Sequence, residues 1–142
     1  MIAIAKQADE IGMKEPLLSW SLWQDPASLA VGTAAEEIVY SYPEDPRELA
    51  SKTAFKQRFR EAYGEEPTIY AGNAYDSYKI LVGAIAVCGR DRECITTHLA
   101  SVKDYEGANG IITVDARGVT MRPEVSMKTV RSGAFVEMKI SE

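Results

Sequence analysis

Apolar and polar positions alternate along the chain between a helical and a strand-like rhythm. Ile2 to Ile11 reads as a helix with Ile4, Ala8 and Ile11 on one face, stopped by Gly12. Pro16 to Ser19 reads as a short buried strand, and Ser19-Trp20-Ser21-Leu22-Trp23-Gln24 as a loop. Asp25 followed by Pro26 is a helix N-cap with proline at the first helical position, which predicts a helix to about Val31. Glu37 to Ser41 is the next strand, and Pro43-Glu44-Asp45-Pro46 breaks the chain into a linker.

A long helix then runs to Tyr63, with Phe55, Phe59 and Ala62 at helical spacing. Gly64 stands where a C-terminus wants positive φ, and Pro67 blocks continuation. The pattern next predicts a loop with Tyr70 at its tip. A helix from Ala74 to Cys88 follows, capped by Asn73 with Asp76 in the capping-box place and Tyr75, Tyr78, Val82 and Ile85 as its buried stripe. A further helix covers about Asp91 to Val102, Asp104-Tyr105-Glu106 forms a surface turn, and the texture then changes to strands. These are Ile111 to Val114, a turn at Asp115-Ala116-Arg117-Gly118, a return strand, then Ser126 to Val130 and Ala134 to Met138 around Ser132-Gly133. Helix–strand alternation argues for a layered α/β fold with parallel sheets.

The charge balance, 16 basic against 21 acidic residues and a net −5, has no basic cluster and argues against a nucleic-acid surface. No apolar run is long enough for a membrane span. Met1-Ile2-Ala3-Ile4-Ala5-Lys6 does not resemble a signal peptide. No catalytic motif stands out either: there is no G-x-S-x-G elbow, no H-E-x-x-H, no glycine-rich phosphate loop and one histidine. The reading is therefore a binding protein with no catalytic residues, no metal and no cofactor.

Two places hold candidate binding chemistry. Tyr70 and the helix start at Asn73 face the same space, and free first-turn amides can receive a carboxylate while Asn73 holds the cap. Tyr70 is either a ligand contact or a loop anchor. The Trp20, Ser21 and Trp23 loop follows a strand C-terminus, where open α/β sheets bind ligands, and offers a stacking wall with hydroxyl donors. The competing reading puts one of the two tryptophans in the core. Cys88 and Cys94 flank a polar corner, Gly89-Arg90-Asp91-Arg92-Glu93, leaving open a disulfide, two free thiols, or a metal site with His98.

Three stretches carry a resemblance: Tyr63 to Leu81 (Y-G-E-E-P-T-I-Y-A-G-N-A-Y-D-S-Y-K-I-L), Leu17 to Tyr40 with its D-P-A turn, and Asp104 to Val136 (D-Y-E-G-A-N-G-I-I-T-V-D-A-R-G…G-A-F-V). In this order they resemble the leucine/isoleucine/valine-binding protein family, the solute-binding components of ABC importers. The resemblance implies the C-terminal half of a type I periplasmic-binding-protein fold, layered α/β/α with parallel sheets in two partial lobes plus a β-hairpin. Residues 1–42 would be part of one lobe, 43–47 an interlobe crossover, 48–121 part of the other lobe, and 122–142 a return to the first.

It further implies a small-molecule ligand held by Tyr70, Asn73, Trp20, Ser21 and Trp23, hinge closure, an ABC permease as partner and a periplasmic or extracytoplasmic location. Some members carry a similar cysteine pair, which favours a Cys88–Cys94 disulfide. Amino-acid-binding members usually place a carboxylate in the Trp loop for the ligand ammonium, and here none precedes Asp25. The expected ligand is thus a carboxylate, or a keto or aromatic acid, without an amine. The other readings are a ligand-sensing regulatory domain of the same fold, or a folded fragment without strong binding. Sheets interrupted at such a point invite a homodimer, possibly strand- or domain-swapped.

Overall fold

The computed structural model describes residues 1–121 and 125–138. In chain order these form α1 (Ile2–Glu10), β1 (Leu18–Ser19), α2 (Pro26–Leu29), β2 (Val39–Tyr42), α3 (Ala50–Tyr63), α4 (Ile69–Cys88), α5 (Arg92–Ala100), β3 (Tyr105–Gly107), β4 (Gly110–Val114), β5 (Thr120–Met121), β6 (Ser126–Arg131) and β7 (Ala134–Glu137). They fall into two compact units, residues 1–43 with 125–142, and residues 44–124. The return after Met121 expected from the sequence falls at residues 122–124, outside the described residues.

The first unit is built on a four-stranded sheet in the order β1-β2-β6-β7. β1 and β2 run parallel, while β2–β6 and β6–β7 are antiparallel. Period-two alternation points Tyr40 and Tyr42 of β2 inward. Tyr40 is fully buried, meets Phe135 edge-on at 6.2 Å and donates its hydroxyl to Gln24. Burial, with Tyr42 as a lesser neighbour, pushes its phenol far above the ordinary value. Glu36 fixes the β6–β7 turn, its carboxylate accepting from the N–H groups of Ser132 and Gly133 at 2.9 and 2.8 Å. Both turn residues have positive φ. On α1 the buried residues are Ala5 and Ala8, whereas Ile4 and Ile11 are exposed, which corrects the expected face by one position.

The second unit packs α3, α4 and α5 with an antiparallel sheet in the order β3-β4-β5. Gly64 caps α3 in the left-handed region as its sequence position predicts. Phe55 of α3 is buried against Tyr75 of α4, ring centroids 5.0 Å apart. Two expectations fail here. Tyr105 lies in strand β3, so Asp104-Tyr105-Glu106 is not merely a turn. The buried positions of α4 are Ile69, Gly72, Asp76 and Ala84, while Tyr78, Val82 and Ile85 are exposed. The helix is apolar on several sides, so composition alone did not select its inner face.

Its inner face is chosen by a polar group. Asp76 is 1% exposed, and both carboxylate oxygens accept from the Ala108 N–H at 2.8 and 2.9 Å. Asn109 beside it donates to the Ile69 carbonyl at 2.7 Å and to the Asn73 side chain at 3.0 Å. The contacts are so close that side chains are excluded: a Cβ on Gly72 would come within 2.3 Å of Asn109, and one on Gly107 within 2.4 Å of Asp76.

The linker is tied into the same unit. Asp45, buried, donates its N–H to the Asn109 carbonyl, and its carboxylate accepts from Arg47. The Arg47 hydrogen bonds hold that carboxyl below its ordinary value against the opposing effect of burial. At Glu44 burial works against ionisation, but the Lys56 hydrogen bond and the charges of Lys56 and Lys52 outweigh it and lower the value. Lys52 is itself buried, donating to the carbonyls of Asp45 and Arg47.

Two outcomes follow. Asp76→Ala strands the Ala108 N–H and should cost about 2–3 kcal/mol in urea unfolding, hydrogen bonds to charged groups being worth that much. A loss below the error of the measurement would contradict the role assigned to it. Carboxyls depressed in the folded state bind fewer protons than in the unfolded chain. The stability from Glu44 and Asp45 is therefore complete above about pH 5 and lost as the pH falls through their folded values. Glu44→Gln should flatten that acid limb of the melting temperature, measured by circular dichroism.

Candidate functional site

The candidate residues divide between the units, each with its own local architecture. In the first unit β1 runs into a 3-10 turn at Ser21–Trp23, and Asp25 then caps α2. The cap is as predicted: the Asp25 carboxylate accepts from the Ala27 N–H at 2.8 Å, with Pro26 beginning the helix. The turn brings Trp20, Ser21 and Trp23 together but gives the two indoles opposite fates. Trp23 is 2% exposed, one of the largest core side chains, whereas Trp20 is 54% exposed. The tight turn sends one ring inward and leaves the other in solvent. Trp23 thus takes the core place that the competing reading gave to one of the two indoles, while Trp20 stays toward solvent. Trp20 and Trp23 both line an apolar groove of about 160 Å³, with Ile4, Leu17, Leu18 and Ile38.

In the second unit the helix start lies earlier than the sequence suggests. α4 begins at Ile69, and its cap is Thr68, whose side chain accepts from the Ala71 N–H at 3.3 Å. Asn73 is not a cap; it sits in the second turn and accepts from Asn109. Asp76 likewise is no capping-box residue but the buried anchor of the β3–β4 turn. Tyr70 is not at a loop tip either. It occupies the first turn of α4 and is 53% exposed, so its ring is free to meet a ligand.

The reason is local. Pro67 and Thr68 are a good helix start, and Gly72 inside the helix leaves the space that Asn109 fills. The amides of the helix start thus belong to the turn carrying Tyr70, with Asn73 held one turn further on. Thr68 is the residue that the sequence reading missed; Thr after Pro, three residues before Ala71, was the available signal.

Cys88 and Cys94 are joined, Cα atoms 5.6 Å apart, closing α4 onto α5. The free-thiol and metal readings fall with that bond, since a thiolate is what zinc needs. Among the described residues no cluster of His, Cys, Asp and Glu is placed to hold a metal, and no helix is long and apolar enough to cross a membrane.

Comparisons place this architecture. The family model for periplasmic binding proteins matches residues 1–134. A leucine-binding protein of Thermotoga maritima superposes with a TM-score of 0.85 at 25% identity, over 97% of this chain and 40% of its own. A branched-chain amino acid transporter substrate-binding protein of Streptococcus pneumoniae, solved with isoleucine, gives 0.78 at 25% identity, covering 96% of this chain and 41% of that one. A solute-binding protein of R. palustris solved with benzoate gives 0.76 over 96% and 39%; at 18% identity it speaks for the fold alone. No curated protein matches the chain in sequence. The chain thus spans about 40% of the length of the solved structures that it matches.

The two tryptophans give a direct check of the turn. Trp23→Ala should destabilise by about 3–5 kcal/mol, as removal of a buried indole does, and Trp20→Ala by well under 1 kcal/mol. Acrylamide should quench Trp20 fluorescence readily and Trp23 weakly, read from the two single-tryptophan variants. Equal quenching would contradict the assignment.

Proposed function

This chain belongs to the periplasmic binding protein family, as the C-terminal half of that fold, and on that footing we propose that it is part of the solute-binding component of an ABC importer. The carrying observation is the superposition of 97% of the chain on a leucine-binding protein at a TM-score of 0.85. In this reading residues 1–43 with 125–142 belong to one lobe and 44–124 to the other. The protein works outside the cytoplasm, and its partner is a membrane permease.

The ligand-facing residues on this proposal are Tyr70 with the first-turn amides of α4, Asn73 behind them, and Trp20 with Ser21. The ligand is an organic acid without an amine: a small carboxylate, or a keto or aromatic acid. Two features support this. The Ser19–Gln24 stretch contains no acid, and the Asp25 carboxylate after it already accepts from the Ala27 N–H. An ammonium left without a counter-charge on closure would be costly to desolvate.

The test is calorimetric titration of the protein with benzoate, 2-ketoisocaproate, leucine and isoleucine. The proposal expects binding of an amine-free acid in preference to leucine, weakened about tenfold or more by Tyr70→Ala, a loss of about 1.4 kcal/mol. Preferential binding of leucine or isoleucine would refute the amine-free ligand. No binding by any of the four would refute the claim that the chain carries enough of the site to hold one.

A further inference from the structure

The β3–β4 turn anchored by Asp76 carries a reactive pair of residues. Gly107 and Gly110 pair across the hairpin, so Ala108 and Asn109 are its two connecting residues. Asn109 is followed by glycine, which opens it to an internal reaction. The Gly110 nitrogen, unhindered by a side chain, can reach the Asn109 side-chain carbonyl carbon and close a five-membered ring. The chain has one other asparagine, Asn73, and it precedes Ala74, whose methyl group hinders the same approach. In the folded unit the reacting groups are held apart. Asn109 is 4% exposed, and its amide nitrogen, the leaving group, donates to the Ile69 carbonyl at 2.7 Å and to Asn73 at 3.0 Å. The side chain fills the space over Gly72, so turning it toward Gly110 breaks both hydrogen bonds and empties that contact. On the main chain the Asn109 carbonyl accepts from the Asp45 N–H at 2.9 Å, and Gly110 lies against Asp45 at φ +127°.

We propose that Asn109–Gly110 is a self-modification site that the fold keeps closed, that opens only when the second unit unfolds, and whose product does not return to the native structure. In the step the Gly110 nitrogen gives up its proton and bonds to Asn109 Cγ, the Cγ–Nδ2 bond breaks, and ammonia leaves. Water then opens the ring at either carbonyl and yields aspartate or isoaspartate; asparagine is a thermolabile residue by such chemistry. Neither product fits the turn. Aspartate at this position has no N–H for the Ile69 carbonyl, which is left facing an oxygen in a buried place. It also sets a second carboxyl group beside the one that anchors the turn. Isoaspartate lengthens the main chain by one carbon within a two-residue connection. There is no slack for it, since a Cβ on Gly107 or Gly110 would already come within 2.4 Å of Asp76 or Asp45. Each unfolding event therefore exposes the site for as long as it lasts, and conversion removes that molecule from the pool able to refold.

The experiment incubates the protein at mildly alkaline pH, in buffer and in guanidinium chloride above its unfolding transition, and follows the tryptic peptide Asp104–Arg117 by mass spectrometry. In denaturant Asn109 should convert, with Asn73 at least about tenfold behind because its neighbour has a side chain. In buffer, conversion at Asn109 should be at least about a hundredfold slower, since ordinary stabilities keep the open fraction below that level. Phe55→Leu, which loosens the α3–α4 contact away from the turn, should raise the buffer rate by the factor by which it raises the unfolding constant and leave the rate in denaturant unchanged. Gly110→Ala, compared in denaturant where folding plays no part, should slow conversion about tenfold. Equal rates in buffer and denaturant, or a buffer rate that Phe55→Leu does not move, overturns the closed site. After removal of denaturant, the refolded fraction isolated by size-exclusion chromatography should be depleted in converted chains, and Asn109→Asp made directly should melt at a lower temperature or fail to fold. Converted chains refolding as often as unconverted ones, or Asn109→Asp melting with the native protein, overturns the one-way outcome. None of these readouts depends on a ligand, so their failure is separable from that of the proposed function.

Discussion

The second unit depends on one buried carboxyl side chain. Asp76 sits on α4 with its carboxylate closed over the Ala108 N–H, and the chain on either side of Ala108 is shaped to let it in. Gly107 has no side chain because Asp76 takes that space, Gly72 has none because Asn109 does, and Gly110, at φ +127°, lies against Asp45. An isolated buried carboxylate would be expensive; one that accepts charge-assisted hydrogen bonds from the backbone becomes an organiser. Through Asn109 the same turn reaches the first turn of α4 and the linker at Asp45. Through the Gly107 carbonyl it reaches Ser51 of α3. Helix packing, linker and hairpin are thus referred to a single four-residue turn.

That arrangement explains which parts of the fold could be read from the chain. Local signals were legible: Asp25-Pro26 starts a helix, Gly64 ends one, Asp115 to Gly118 turns a hairpin, and Ser132-Gly133 turns another. Each is settled within a few residues by φ preference or a capping bond. What misled were residues whose role is decided by partners far along the chain. Asp76 has the spacing of a capping-box acid, but its partner is 32 residues away. Asn73 looks like a cap for the same reason, because nothing nearby shows that Asn109 will reach it. The expected stripe of α4 failed differently. Its apolar residues go all the way round, and only the position of Asp76 says which side faces in.

The candidate site inherits these shifts. Moving the start of α4 back to Ile69 transfers Tyr70 from a loop to the first turn of a helix. There its ring and the amides of the same turn are positioned by one element. The hydrogen bonds of Asn109 to Ile69 and Asn73 then connect the fold's anchor to the residues proposed to meet the ligand. In the first unit the comparable fixed point is Trp23, whose burial holds the turn on which Trp20 and Ser21 are displayed. Both proposed surfaces are therefore presented by regular structure with a buried residue behind it, as binding groups that must keep their geometry need to be.

Amide hydrogen exchange at Ala108 tests the central claim most directly. If the Asp76 carboxylate organises the second unit, the Ala108 N–H exchanges as slowly as the most protected amides of α4, at the rate of global unfolding. In Asp76→Asn, protection at Ala108 and along the first turns of α4 falls together. An Ala108 amide that exchanges quickly in the native protein while α4 stays protected would contradict the account.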